Sequence, residues 1–475
     1  MKLPPSIAAC LFVGFILWLF RRYSKEAGAM SYGLWVPFIW VAINVSRPIG
    51  YWFVNGTEAA ASETIDLSQG SFIDRNTYLI LICAGVFVLL RRRVNWSSFL
   101  ASGRWLWIFY FYLLLSVLWS DYTFISFKRW FKDAGDLVMI LIILSEKDPI
   151  EAIRGIFIRC AYLLVPLSVL FIKWYPDIGR YYNHWTWTTG YSGITLGKNQ
   201  LGLLCMLSGL FLLWQIVDVY PARGMKTRLR NLWPDLLVLV MCLWMLWIAG
   251  SATASFSFVL GAIVFFGTRL RVIRSNFGSL GWVLAGVALL MLLFTVSSGF
   301  RGTIAGALGR DVTLTTRTEI WERALELKTN PLLGSGFFST WLAPEGASMV
   351  EEWGGLAHAH NGYLETYLNS GAIGVLLLLA VLVSAGKNAR DQLYQRSTAG
   401  YLFISLFLAA LFYNYTEVTF NRSNVVGMLL WLMSAYGVAV TSEQDREVIL
   451  TDVGKSSSFA NIPALADEHS PVTEC

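Results

Sequence analysis

Apolar positions along this chain gather into runs of about 15–20 residues, close to the ~20 that carry a helix across a bilayer, and polar stretches separate them. The runs fall at residues 5–20, 33–46, 77–90, 105–120, 136–145, 156–175, 201–219, 234–250, 254–267, 280–297, 372–386, 400–413 and 425–440. They predict an all-α polytopic membrane protein with about 13 transmembrane helices, within a range of roughly 11–14. Several runs are short, so tilt, re-entrant segments or borrowed interfacial residues must supply the missing length. The pattern assigns residues 1–440 to one membrane domain and the polar residues 441–475 to a disordered cytoplasmic tail.

Composition sharpens this picture. Of 475 residues, 56% are apolar and 14% charged, against about 25% charged in ordinary soluble domains. A soluble enzyme with one buried core is excluded. The 37 basic and 31 acidic residues leave a net charge of +6, without the clustered basic faces that a nucleic-acid partner requires. Cys10, Cys83, Cys160, Cys205 and Cys242 lie in or beside apolar runs and Cys475 is terminal, so no structural disulfide is expected. The first run is followed by Arg21 and Arg22, the reverse of a cleavable signal peptide, and should stay as an anchor.

Basic residues concentrate in every second connection: Arg21-Arg22, Arg91 to Arg93, the stretch with Arg223, Lys226, Arg228 and Arg230, that with Arg269, Arg271 and Arg274, and that with Lys387, Arg390 and Arg396. The positive-inside rule makes these cytoplasmic. The alternate connections, around residues 47–76, 121–135, 176–200, 298–370 and 414–424, then lie outside the cytoplasm.

The longest of these, residues 298–370, carries the least ordinary chemistry. Thr316-Arg317-Thr318-Glu319 reads as a capping box with Thr316 as N-cap, followed by Ile320, Ala324 and Leu327 on one helical face. Arg317 would then occupy the first helical position, where free amides and a guanidinium together suit a phosphate. An interfacial arginine pairing with headgroups or with Glu319 is the bland alternative. Arg301 and Arg310 widen the cationic surface. After Asn330-Pro331 and the Gly334-Ser335-Gly336 turn comes His358-Ala359-His360-Asn361, with Asn361 as the N-cap of a second short helix. The positive end of that helix favours a neutral imidazole at His360, available as a general base. A solvated or structural histidine is the competing reading. His358 and His360 with Glu351, Glu352 or Glu365 also raise a metal site, but no second cluster completes a coordination set.

Residues 179–199 form a second cluster, with Arg180, Tyr181, Tyr182, His184, Trp185, Trp187 and Gly197-Lys198-Asn199. Lys198 resembles a phosphate-loop lysine only superficially, because the glycine spacing is wrong and Asn199 replaces the Ser or Thr. Most of these aromatics read as an interfacial belt. Arg129, beside an apolar run, should face a wet cavity or an anion. Ser251-Ala252-Thr253 marks a tight reversal whose small residues suit close helix packing.

Taken in order, Leu115-Ser116, Trp119-Ser120 and Arg129, Gly193 with Gly197-Lys198-Asn199, Ser251-Ala252-Thr253, Arg317 with Ile320-Trp321, Pro331 to Gly336, and His360-Asn361-Gly362-Tyr363-Leu364-Glu365 resemble the O-antigen ligase and polymerase superfamily. The resemblance implies an inverting, nucleotide-independent glycosyl transfer at the periplasmic face of a bacterial inner membrane. The donor is an undecaprenyl-diphosphate-linked oligosaccharide and the acceptor a glycan hydroxyl, with no cofactor. It further implies that Arg317 and Arg180 hold the diphosphate, that His360 takes the acceptor proton, and that Lys198, Arg129, Asn361 and Trp321 support the substrate site. Membrane lipids, a flippase and chain-length regulators are the partners it implies. The Phe124 to Asp136 stretch is closer to exopolysaccharide polymerases than to ligases that cap lipid A core. A secondary transporter or lipid flippase is the reading from another class, disfavoured by the absence of repeated halves and the gathering of distinctive residues in loops. A non-catalytic membrane scaffold is a third.

Overall fold

A computed structural model of the chain describes residues 3–27, 30–53, 71–92, 94, 96–182, 188–222, 225–270, 314–353, 355, 357–395 and 397–436. The run at 280–297, Arg223, Arg271, Arg274, Arg301, Arg310, His184, Trp185, Trp187, Arg396 and the tail lie outside them.

The described chain is a helical bundle. In order come α1 (Pro5–Ala27), α2 (Trp35–Val45), α3 (Phe72–Arg91), α4 (Arg104–Ser116), α5 (Thr123–Leu144), α6 (Pro149–Trp174), α7 (Lys198–Trp214), α8 (Met225–Ala249), α9 (Ala252–Gly267), α10 (Leu314–Glu326), α11 (Pro344–Glu352), α12 (Gly362–Tyr394) and α13 (Thr398–Thr416), followed by α14 (Val425–Tyr436). Seven described helices are long and apolar enough to cross a membrane, and four shorter apolar ones accompany them. The chain is a multi-pass membrane protein. α6, α7 and α13 form its interior, with 83%, 78% and 78% of their apolar windows buried, whereas α1 and α3 turn mostly outward at 22% and 28%. Leu11, Leu17, Ile80 and Leu90, all exposed on α1 and α3, give the outer face its lipid-compatible chemistry.

Residues 121–135 differ from the expected loop. They form the first half of α5, because their polar side chains find partners inside the bundle. Ser126 Oγ lies 2.7 Å from Ser120 Oγ, Asp133 accepts from the Ser423 amide at 2.5 Å, and Asp136 accepts from Trp40 Nε1 at 2.6 Å. A helix whose polar groups find such partners can continue into an apolar interior; of the Asp133 carboxylate, Oδ1 is hydrogen-bonded in this way and Oδ2 is buried without a hydrogen-bond partner among the described residues.

The bundle has two chemically different ends. At one, Arg92 pairs with Glu146, Arg22 with Asp235 and Arg269 with Asp218, which ties together the C-terminal ends of α1, α3, α5, α7 and α9 and the N-terminal part of α8. At the other, α10 and the start of α12 meet the N-termini of α7 and α9 and the end of α13, and a two-stranded hairpin (β1, Arg180–Tyr182; β2, Thr189–Tyr191) packs against α7. The candidate site occupies this second end.

α12 is broken once. Gly371 has φ +61° in the middle of it, and the turn of Pro331 to Gly336 fills the break, with the Ala372 amide donating to Pro331 O at 2.9 Å and the Gly336 amide to Asn369 O at 3.0 Å. A Cβ on Gly371 would lie 2.2 Å from the Leu332 carbonyl carbon and oxygen, so only glycine permits both the backbone angle and the approach.

Candidate active site

α10 carries Arg317 on the same face as Ile320 and Ala324, both buried. Trp321 fixes this helix in place: its Nε1 donates to Ala359 O at 2.8 Å and its ring meets Tyr415 edge-on at 5.6 Å. Thr316 is not the first residue outside the helix that the expected capping box requires. α10 already runs at Leu314, so Thr316 is helical and Arg317 sits about one turn in, beyond the free amides of a helix start. Contacts with the segment before α12 and the end of α13 fix the helix where a local cap would have begun it later.

Arg317 instead meets other elements. Its Nη2 donates to Glu417 Oε1 at 2.8 Å and its Nη1 to Thr253 Oγ1 at 3.3 Å. Thr253, one residue into α9, lies 2.8 Å from Thr416 Oγ1 at the end of α13. The small-residue reversal of Ser251 to Thr253 therefore does two things. Gly202 packs against the Cβ atoms of Ser251 and Ala254, and Thr253 supports the guanidinium.

His360 comes from the segment leading into α12. Asn361 is its N-cap, with Oδ1 accepting from the Tyr363 and Leu364 amides at 3.0 and 3.1 Å. His360 itself has φ +47°, a left-handed conformation unusual for a side-chain-bearing residue and costing on the order of 1–3 kcal/mol. This turn lets its amide donate to His358 Nδ1 at 3.3 Å and carries its own Nδ1 to 3.3 Å from Glu417 Oε2. The two imidazoles meet edge-on at 4.2 Å. His358 is held well below the ordinary imidazole range, first by burial and then by His360, Arg422 and Arg317. It is a neutral acceptor beneath the turn.

Glu417 is the point where these parts converge. Besides Arg317 and His360 it accepts from Asn199 Nδ2 at 2.8 Å, and Asn199 is the second residue of α7, next to Lys198. Lys198 is exposed at the helix start. Five elements separated in sequence thus bring Arg317, His360, Asn199, Thr253 and Glu417 to one place.

Not every expected residue joins them. Arg180 Nε donates to Ile172 O at 2.9 Å, which folds the hairpin back on the end of α6, and its guanidinium lies 5.8 Å from the Tyr191 ring. Among the described residues no hydrogen bond or ion pair brings it to Arg317. Arg129 reaches a neighbouring region, 3.6 Å from the ring centre of Phe338, a ring that Arg422 also approaches at 4.7 Å. Two of the three carboxylates considered for a metal are otherwise engaged. Glu352 pairs with Arg323 on exposed α11, and buried Glu365 accepts from Trp341 Nε1, Arg422 Nη2 and the Ala359 amide at 2.9, 2.9 and 3.0 Å. Among the described residues no three His, Cys, Asp or Glu side chains gather as a metal site.

Glu417, Asn199, Thr253 and Arg422 were not expected as functional residues. The available signal for Glu417 was its being the single acid in the connection between two apolar runs, with Arg422 the one base; Asn199 stood out only as a departure from a phosphate loop.

Chemically, the cluster offers a guanidinium for an anion, an imidazole for a proton and a carboxylate that touches both. Residues 237–379, from α8 into α12, match the O-antigen ligase family model. The exopolysaccharide production protein ExoQ of Rhizobium meliloti (strain 1021) is 28% identical over 305 residues, covering 60% of this chain and 65% of the relative. The chain thus matches slightly less than two thirds of that relative's length.

Proposed function

We propose that this chain is an inverting, nucleotide-independent glycosyltransferase, a reading supported by the match of residues 237–379 to the O-antigen ligase family model and by the likeness to ExoQ. Its donor is a glycan carried on undecaprenyl diphosphate. The observation that carries this reading is the meeting of Arg317 and His360 around one carboxylate at one end of the bundle.

In the reaction the acceptor hydroxyl loses its proton to His360 as its oxygen attacks the anomeric carbon. The bond from that carbon to the diphosphate oxygen breaks, and inversion follows from attack on the opposite face. The departing lipid diphosphate carries the electron pair. Arg317 neutralises it, which makes it a sufficient leaving group without a protein acid. Lys198, exposed beside Asn199, and Arg129 extend the cationic surface toward the donor. Asn361 and Trp321 act on the reaction by holding the His360 turn and α10.

Sidedness supports a periplasmic site in a bacterial inner membrane. Arg22, Arg92 and Arg269 sit at the bundle end opposite Arg317 and His360, as the positive-inside rule requires if that end is cytoplasmic. Lipid-linked glycan is consumed on the other face. A flippase that delivers the donor and a chain-length regulator are the partners such a reaction needs.

Polymerisation of repeats into an exopolysaccharide is the favoured form, supported by the relative named for exopolysaccharide production. Ligation of O-antigen to lipid A core is the second reading, supported by the description of the matching family. The surface and lipid-linked glycans of a deletion strain separate them. Single repeats accumulating on the carrier indicate a polymerase; full-length polymer retained on the carrier and missing from lipid A core indicates a ligase. An unchanged glycan profile, with loss of solute uptake, would replace both with a transporter.

A further inference from the structure

Glu417 lies outside the matching segment 237–379, yet its carboxylate is shared by the two groups on which the proposed transfer depends. Oε1 accepts from Arg317 Nη2 and Asn199 Nδ2, each at 2.8 Å, while Oε2 stands 3.3 Å from His360 Nδ1. The placement is rigid. Its amide donates to Tyr413 O at 2.9 Å, its carbonyl accepts from the Gly362 amide at 3.0 Å, and the side chain is only 10% exposed. The end of α13 and the start of α12 are therefore clamped to each other through the residue that carries this carboxylate.

Two consequences follow from the geometry. With Nδ1–H of His360 donating to Glu417, the other ring nitrogen, Nε2, carries the free lone pair, and the imidazolium formed on taking a proton keeps an anion beside it. At the same time Glu417 occupies the Nη2 of Arg317 that an incoming diphosphate would use. Two anions compete for that position, and the more highly charged diphosphate displaces the carboxylate. Asn199 and His360 remain as partners for Glu417 after the exchange.

We propose that Glu417 is a positioning residue with two states: in the empty site it latches Arg317 to His360, and on donor binding it yields Arg317 to the diphosphate while continuing to orient His360. This rests on the transfer reaction proposed above. It makes an unusual forecast, because removing the charge should harm turnover and help binding together. A purely structural carboxylate would not separate the two.

The test uses full-length protein in detergent micelles, with geranylgeranyl diphosphate as a sugar-free binding probe and lipid-linked saccharide extracted from the strain's own membranes as the donor. Glu417→Gln should lower kcat at least about tenfold and bind the probe roughly tenfold more tightly. In a His360→Ala background the same substitution should cause no further loss of kcat, since it acts through that ring. An unchanged kcat, weaker probe binding, or an equal loss on top of His360→Ala overturns the inference. If Glu417→Gln fails to accumulate in membranes, Glu417→Asp carries the test. Its retained charge keeps the competition but shortens the reach to His360, so kcat should fall at unchanged probe affinity, and weaker affinity overturns the proposal. Wild-type rates in both His360→Ala and Arg317→Ala would instead defeat the underlying transfer reading.

Discussion

The Oε1 atom of Glu417 lies 2.8 Å from Nη2 of Arg317, 100 residues earlier in the chain. This ion pair joins the turn after α13 to α10, and the same carboxylate continues to His360. On the proposed reading, a cation for a leaving group and a base for an acceptor thereby come within reach of one bound molecule.

Arg317→Ala should reduce glycan transfer by roughly 10²–10³, the usual cost of removing one preorganised charge-stabilising group from a reacting centre. Arg317→Lys should recover part of the rate, because a lysine supplies the charge but not the planar fork that contacts Glu417 and Thr253 together. Initial rates of product-ladder formation with purified protein check both. Equal loss in the two variants would show that geometry outweighs charge.

His358 gives the fold a pH dependence of known sign. Its folded-state pKa is depressed, so below the ordinary imidazole value of 6.5 the unfolded chain binds a proton that the folded protein does not. Stability is retained above that pH and is lost progressively as the pH falls from there toward the folded value, at up to about 1.4 kcal/mol per pH unit. Thermal midpoints in detergent between neutral and mildly acidic pH should therefore fall with pH. His358→Gln should flatten that part of the curve, since it keeps an acceptor for the His360 amide and does not titrate.

Gly371→Ala should lower the thermal midpoint by the equivalent of at least about 1–3 kcal/mol, because the residue is left-handed and its new Cβ would meet the Leu332 carbonyl. Gly14→Ala provides the contrast. Nothing lies within 4 Å of the Cβ position there, and an alanine in the middle of α1 should raise helix stability by roughly 0.5–1 kcal/mol.

A chelator should leave the transfer rate unchanged. Glu365 is committed to Trp341, Arg422 and the Ala359 amide, Glu352 to Arg323, and Glu417, beside His360, to Arg317 and Asn199, so these carboxylates are not free to join His358 and His360 in a tight site. Loss of activity with EDTA and recovery with one added divalent ion would contradict this.

How much of the site could be read beforehand follows from the range of the interactions involved. The apolar runs and the Asn361 cap were legible because span length and capping depend on neighbours within a turn or two. So were Arg317 and His360 as unusual residues of one connection. The start of α10 was misplaced because tertiary contacts of Arg317, Ile320 and Trp321 overrode a plausible local cap. The first half of α5 was mistaken for a loop because Ser126 and Asp133 look hydrophilic until Ser120 and the Ser423 amide are seen beside them. Arg180 was grouped with the diphosphate cations by the family resemblance, and no local pattern showed that the hairpin turns its Nε onto Ile172 O. Glu417 left almost no local trace. Its role depends on pairing with Arg317, His360 and Asn199, all distant in sequence.

The central claim is that His360 takes the acceptor proton from a substrate whose diphosphate is held by Arg317. The most direct measurement is the single-turnover rate of glycan transfer by His360→Ala, purified at full length and shown to bind geranylgeranyl diphosphate as the wild type does. A fall of roughly 10²-fold or more at unchanged probe affinity is the expected result. Transfer at the wild-type rate would contradict the claim and remove His360 from the reaction.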